Sequence, residues 1–259
     1  MPVLDLGTHR LQYRVDGQDS TAPWLVFCNS LGTDLHMWDA QVEPLGRRFR
    51  LLRYDRRGHG RSSVPPGPYV LADLGRDVIA LLDALGIARA HFCGLSIGGL
   101  TGQWLGLHAA ERFDRMIFCA TAPRIGTEAG WQDRVRAVQA DGLPAMAEAT
   151  ADRWFSPGFR AAAPEVVDRI IGTFAATPPM GYAGCCAALA GADLRGDIAR
   201  IARPVLALSG AEDAVCPPDH LDSLARTVRD GRHVTLPGRH IVNVEAAPEF
   251  SDHVMAFLA

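Results

Sequence analysis

Five consecutive residues, Gly94-Leu95-Ser96-Ile97-Gly98, constrain this chain more than any other stretch. They follow the apolar run Ala90-His91-Phe92-Cys93 and precede a segment, residues 99–110, with a helix-like composition. A strand, then G-x-S-x-G, then a helix is the setting of a nucleophile elbow. In such a turn the serine holds a strained backbone conformation and its hydroxyl is pushed clear of the sheet. Glycine at 94 and 98 lets the backbones around the serine close on one another. The helix that follows offers free N–H groups and the positive end of its dipole to negative charge formed beside the serine. The plain alternative is a Gly-rich turn with an idle serine, and the rest of the chain decides between the two.

A serine hydroxyl is a weak nucleophile at neutral pH, so it needs a base, and the base needs an orienting carboxylate. After an elbow of this kind the acid comes next along the chain and the histidine last. The apolar run 205–208 leads through Ser209-Gly210-Ala211 into Glu212-Asp213, ahead of Pro217-Pro218, which suit a helix start. Asp213 is the candidate acid, with its neighbour Glu212 ranked second. The last strand-like run, 233–236, ends in Pro237-Gly238-Arg239-His240, and a C-terminal helix follows near 248–258. His240 is therefore the candidate base. His233 lies within that strand and His253 within the final helix, and neither position suits contact with Ser96.

Strand-like runs occur at 9–15, 24–28, 50–54, 90–93, 115–120, 205–208 and 233–236. Between the third and fourth, Leu71, Leu74, Val78, Leu81, Leu82 and Leu85 form one helical stripe. The later runs are continuously apolar, as parallel strands are when helices cover both faces. The alternation predicts an α/β fold with a mostly parallel, doubly wound sheet. From 123 to 192 the rhythm breaks: no strand pattern appears, and Trp131, Met146, Trp154, Met180 and Tyr182 punctuate an Ala-rich stretch. We read residues 123–192 as a helical cap inserted into a core made of 1–122 and 193–259; ordinary peripheral helices are the alternative. At 259 residues and 48% apolar content, one large domain can bury a sizeable core.

Composition narrows the partners. The net charge is −3 and no basic block exists, which argues against nucleic acid. No apolar run reaches membrane-spanning length, and residues 1–14 have no apolar secretory core. The six cysteines form no C-x-x-C pair, and Cys28, Cys93 and Cys119 lie inside strand-like runs, as reduced core residues of a cytoplasmic protein would. The histidines and cysteines show no zinc-binding spacing, so no metal is expected.

Several longer words carry a resemblance: NSLGTDLHMWD (29–39), YDRRGHGRS (54–62), GLSIGG (94–99), PRIG with GW and R (123–134), RWF (153–155), GYAGCCAAL (181–189), SGAEDAVCPP (209–218) and GRHIVNVE (238–245). With these the chain resembles an α/β-hydrolase and, more narrowly, the 3-oxoadipate enol-lactonase family, over nearly its whole length. GLSIGG and DRRGHGRS are superfamily-wide; NSLGTD, Trp38 and the cap words are narrower. The resemblance puts the catalytic serine, aspartate and histidine on Ser96, Asp213 and His240. It implies an oxyanion hole from the backbone N–H groups of Leu31 and Ile97, with Asn29-Ser30 where His-Gly is usual. It implies a small anionic substrate, a five-membered enol-lactone with an acetate arm, and no cofactor. Arg124 and Arg134 are the candidates for the carboxylate, each otherwise a surface side chain. Trp131, Trp154 and Trp38 are candidates for the substrate wall and equally for the core. Residues 55–62 read as a structural brace, with His59 a packed loop histidine. A general carboxylesterase, a cofactor-free haloperoxidase-like hydrolase and a ligand receptor on the same scaffold are the alternatives. A haloalkane dehalogenase would need an acidic residue at 96.

Overall fold

The unbroken apolar runs become the inner strands of a single eight-stranded sheet in the computed structural model, which describes residues 2–259. The strands are β1 (Val3–Asp5), β2 (Arg10–Asp16), β3 (Trp24–Cys28), β4 (Arg50–Tyr54), β5 (Ala90–Leu95), β6 (Phe113–Cys119), β7 (Val205–Gly210) and β8 (Gly231–Leu236). Their order across the sheet is β1-β2-β4-β3-β5-β6-β7-β8. Pairing is antiparallel from β1 to β2 and from β2 to β4, and parallel from β4 onward. All seven strands expected from the sequence are present within two residues of their predicted ends. The eighth, β1, is a three-residue edge strand that pairs only with β2, too short to show a pattern of its own.

Helices α1 (Asp39–Gly46), α2 (Leu71–Ala84) and α3 (Ile97–His108) separate β3, β4, β5 and β6 from one another. Leu71, Leu74, Val78, Leu81 and Leu82 of the expected stripe are on the buried face of α2, Leu85 is its half-buried C-cap, and α2 packs on α3, which lies on β5 and β6. Between β6 and β7 come five helices and no strand among the described residues: α4 (Glu128–Asp141), α5 (Ala147–Trp154), α6 (Pro157–Ala162), α7 (Pro164–Ala176) and α8 (Pro179–Gly191). Within this segment α4 packs on α8 and α5 on α7. It is seated on the core by close backbone contact: a Cβ on Gly181 would lie 2.1 Å from the Gly58 carbonyl oxygen. Helices α9 (Pro218–Thr227), α10 (Val242–Glu245) and α11 (Ala247–Leu258) complete the fold. No described helix is long and apolar enough to cross a membrane.

Strand order reverses at β3, which pairs with β4 on one side and β5 on the other. At such a switch point the loops leaving the carboxyl ends of the two strands diverge and open a crevice. The loop after β3, the turn after β5 and the loops after β7 and β8 all leave the same edge of the sheet, because these strands are parallel.

Candidate active site

Ser96 occupies the turn between β5 and α3 with φ 59° and ψ −120°, a conformation costing roughly 1–3 kcal/mol for a non-glycine residue. Hydrogen bonds hold it there. Its N–H donates to the Cys119 carbonyl at 2.9 Å, and its carbonyl accepts from the Thr121 hydroxyl at 2.8 Å and from Leu100 N–H at 2.9 Å. The glycines around it are required by contact: a Cβ on Gly98 would sit 2.1 Å from the Cys28 carbonyl oxygen, so the elbow and the loop after β3 meet backbone to backbone. Ser96 is 7% exposed, and its hydroxyl forms no hydrogen bond to any described residue.

Asp213 and His240 are brought together because β7 and β8 are parallel neighbours. His240 Nδ1 lies 2.9 Å from Asp213 Oδ2, and Asp213 Oδ1 accepts the N–H groups of Val215 and Cys216 at 2.7 and 3.0 Å. Burial alone would raise the Asp213 carboxyl; the charge and hydrogen bond of His240, with the two N–H donors, outweigh it and hold the carboxyl below its usual range. An ionised Asp213 keeps the proton on Nδ1 and leaves the Nε2 lone pair free. Ser96 and His240 line one cavity of about 450 Å³. Contacts between a nucleophile and its base commonly tighten only when substrate is bound. His233 has a different partner, Ser209 Oγ at 2.8 Å.

Leu31 lies on the cavity wall from the loop after β3. Its N–H and that of Ile97, the first residue of α3, are engaged by no acceptor among the described residues. Trp131, Arg134, Arg153, Trp154 and Tyr182 line the same cavity, all from α4, α5 and α8. Arg134 donates through Nε and Nη2 to Tyr182 Oη at 3.2 and 3.1 Å, and Arg153 Nη2 donates to Thr150 Oγ1 at 3.0 Å. Burial pushes the Tyr182 phenol up to about 12, so it accepts these bonds as a neutral group. Burial, and then the Arg134 charge, lower the Arg153 guanidinium. Neither arginine has a carboxylate partner among the described residues, so two cations face the same cavity uncompensated, an arrangement that an incoming anion relieves.

The structure therefore brings Ser96, His240, Leu31, Trp131, Arg134 and Trp154 to the lining of one cavity; Asp213 adjoins it through His240 and Ile97 through Ser96, and two expected residues, Arg124 and Trp38, stand away from it. Arg124 pairs with Asp193 at 3.2 Å and lines a separate depression shared with Arg195. Trp38 is fully buried: its indole N–H donates to Asn29 Oδ1 at 2.9 Å and its ring packs 4.6 Å from that of Phe27. It braces the loop after β3 from behind. Arg153 and Tyr182 also line the cavity, and the sequence alone does not single them out. Arg153 adjoins Trp154 in the RWF word, and that adjacency was the available signal.

No group of three or more His, Cys, Asp or Glu side chains among the described residues is disposed to hold a metal. An elbow serine at the switch point of a mostly parallel sheet, with an Asp–His pair on loops at the same edge, defines a fold and a class of site. Residues 23–247 match the family of the alpha/beta hydrolase fold, and the chain belongs to it. Within that family it is 44% identical to 3-oxoadipate enol-lactonase 2 of Acinetobacter baylyi, over 96% of this chain and 92% of the relative. Among solved structures, the enol-lactonase from Burkholderia xenovorans superposes with a TM-score of 0.97 at 43% identity, covering 99% of each chain. A hydrolase from Pseudomonas aeruginosa superposes at 0.96 with 46% identity, over 100% of this chain and 98% of that one.

Proposed function

We propose that this protein is a 3-oxoadipate enol-lactonase that works through a Ser96–His240–Asp213 triad. One observation carries the substrate assignment: the cavity that holds Ser96 and His240 also holds Arg134 and Arg153, two guanidinium groups without carboxylate partners. A lactone with a carboxylate arm fills both needs, its ring at Ser96 and its arm at the arginines. Residues 123–192 act as the cap that carries the arm's receptors.

His240 Nε2 takes the Ser96 proton as Oγ attacks the lactone carbonyl, while Asp213 holds the imidazole tautomer and stabilises the imidazolium. The tetrahedral oxyanion is received by the Leu31 and Ile97 N–H groups, each such donor contributing about 3 kcal/mol to the transition state. Collapse breaks the ring C–O bond and expels an enolate, a better leaving group than an alkoxide. His240 returns the proton and the enol becomes a ketone, which no longer competes for the acyl group although it stays tethered to it. Water, deprotonated by His240, then attacks the acyl-enzyme and releases 3-oxoadipate. The six cysteines, all free and buried, support residence in a reducing compartment, the cytoplasm.

The test is hydrolysis of 3-oxoadipate enol-lactone beside a short nitrophenyl ester that lacks a carboxylate. The lactone is expected to be strongly preferred, and Ser96→Ala to lose about 10⁴-fold or more in kcat. Preference for the simple ester would replace this reading with that of a general carboxylesterase.

A further inference from the structure

Leu31 is held from both sides although its own N–H is free. The peptide that carries this N–H begins at the Ser30 carbonyl, which accepts the Thr33 hydroxyl at 2.9 Å. A trans peptide points its N–H opposite to its C=O, so the bond from Thr33 sets the direction of the Leu31 donor. The next peptide ends in the Gly32 N–H, which donates to His59 Nε2 at 3.0 Å. The two peptides flanking the Leu31 Cα are each fixed by one buried side chain: Thr33 is 1% exposed and His59 fully buried.

The surroundings of His59 suit it to accept. Burial, and then the Arg56 charge, push its pKa down to about 3, so it stays neutral. With Nε2 accepting, the proton sits on Nδ1, which faces the Arg57 carbonyl at 3.4 Å. The same short segment grips the loop at two further points. Arg56 donates to the Asn29 carbonyl, and Asp55 Oδ1 accepts Leu35 N–H at 2.8 Å. Gly32, at φ 76°, is packed so closely on the rings of Phe174 and Tyr182 that a Cβ would lie 2.6 Å from the former. Neither Thr33 nor His59 lines the cavity.

We propose that Thr33 and His59 are positioning residues for the oxyanion site, holding the Leu31 N–H at the angle the tetrahedral intermediate needs without touching substrate. This rests on the reading of Leu31 and Ile97 as oxyanion donors to a Ser96 hydrolase. A donor that drifts weakens transition-state binding and leaves ground-state binding alone. The signature is a fall in kcat at constant KM.

The experiment compares His59→Leu with His59→Gln, whose carboxamide oxygen can accept the Gly32 N–H, and Thr33→Val with Thr33→Ser. Steady-state kinetics on the enol-lactone are expected to show kcat down about 10- to 100-fold in H59L and about 10-fold in T33V, with KM within twofold and most of the loss recovered in the Gln and Ser variants. Thermal melting checks folding; if H59L does not fold, the Thr33 pair carries the test by the same criteria. Equal activity of the members of each pair, or a rise in KM in place of a fall in kcat, overturns the proposal. Parental turnover by Ser96→Ala would bring down the underlying hydrolase reading. An inactive S96A beside fully active H59L and T33V would bring down the positioning role alone.

Discussion

Ser96, Asp213 and His240 stand on loops at the same edge of the sheet, after the parallel strands β5, β7 and β8, whereas Arg134, Arg153 and Tyr182 stand on helices α4, α5 and α8. In the first region backbone geometry places the side chains. Strand pairing sets the spacing of the loops, and the elbow's hydrogen bonds hold Ser96 in a conformation it would not choose alone. In the second region the side chains are placed by helix packing and by one another: Arg134 on Tyr182, Arg153 on Thr150. The first kind of placement is shared by any chain with this sheet. The second depends on which side chains the helical segment carries. In the function proposed above, chemistry common to many ester substrates sits on the sheet edge, and selection among substrates sits on the helices.

This division predicts different kinetic signatures for the two regions. On the sheet edge, Asp213→Asn keeps the shape but no longer holds the Nδ1–H tautomer, and kcat is expected to fall by about 10⁴-fold for the lactone and for simple esters alike. A loss confined to the lactone would erase the distinction. On the helices, Arg153→Ala is expected to raise KM for the lactone by about 10- to 100-fold, the scale of a lost charge-assisted hydrogen bond, and to leave an ester without a carboxylate unaffected. Arg134→Ala adds the loss of the Tyr182 contact and is expected to do at least as much. Measuring both variants on both substrates sharpens the comparison.

The smallest expected effect concerns the brace beneath the sheet edge and is read in stability. His59 is neutral in the folded protein, with a pKa of about 3, and gains a proton in the unfolded chain below about pH 6.5. Acid therefore favours unfolding, and this loss begins as pH falls through the unfolded value. Between pH 7 and pH 5 the parent is expected to lose about 2 kcal/mol relative to His59→Gln, measured by denaturant unfolding at each pH. Asp55, raised by burial to about 6, titrates with the opposite sign in the same window. It is present in both proteins and cancels in the difference. Parallel stability curves would show that His59 carries charge when folded.

How much was legible follows the same boundary. The strands, the elbow, and the order of serine, acid and histidine were readable because each is a local signal: an unbroken apolar run, a glycine pair around a serine, a polar loop at a strand end. The substrate side was read in part. Trp131, Arg134 and Trp154 line the cavity, but Trp38 is spent on Asn29 in the core and Arg124 on Asp193 outside. Arg153 and Tyr182 were passed over, since nothing local marks which face of an amphipathic helix meets a cavity and which meets solvent.

The amino-acid sequence by itself determined the parallel sheet, the strained serine turn and the loops that bear Asp213 and His240, because strand periodicity and turn chemistry act over a few residues. Only the tertiary structure decided that two guanidinium groups from separate helices would share a cavity without a counter-ion, and that Thr33 and His59 would hold the peptides on either side of Leu31. Apart from the local bond from Thr33 to Ser30, those outcomes depend on contacts between residues far apart in the chain, as between Gly32 and His59 or Arg134 and Tyr182, and such contacts exist only once the sheet and its helices have packed.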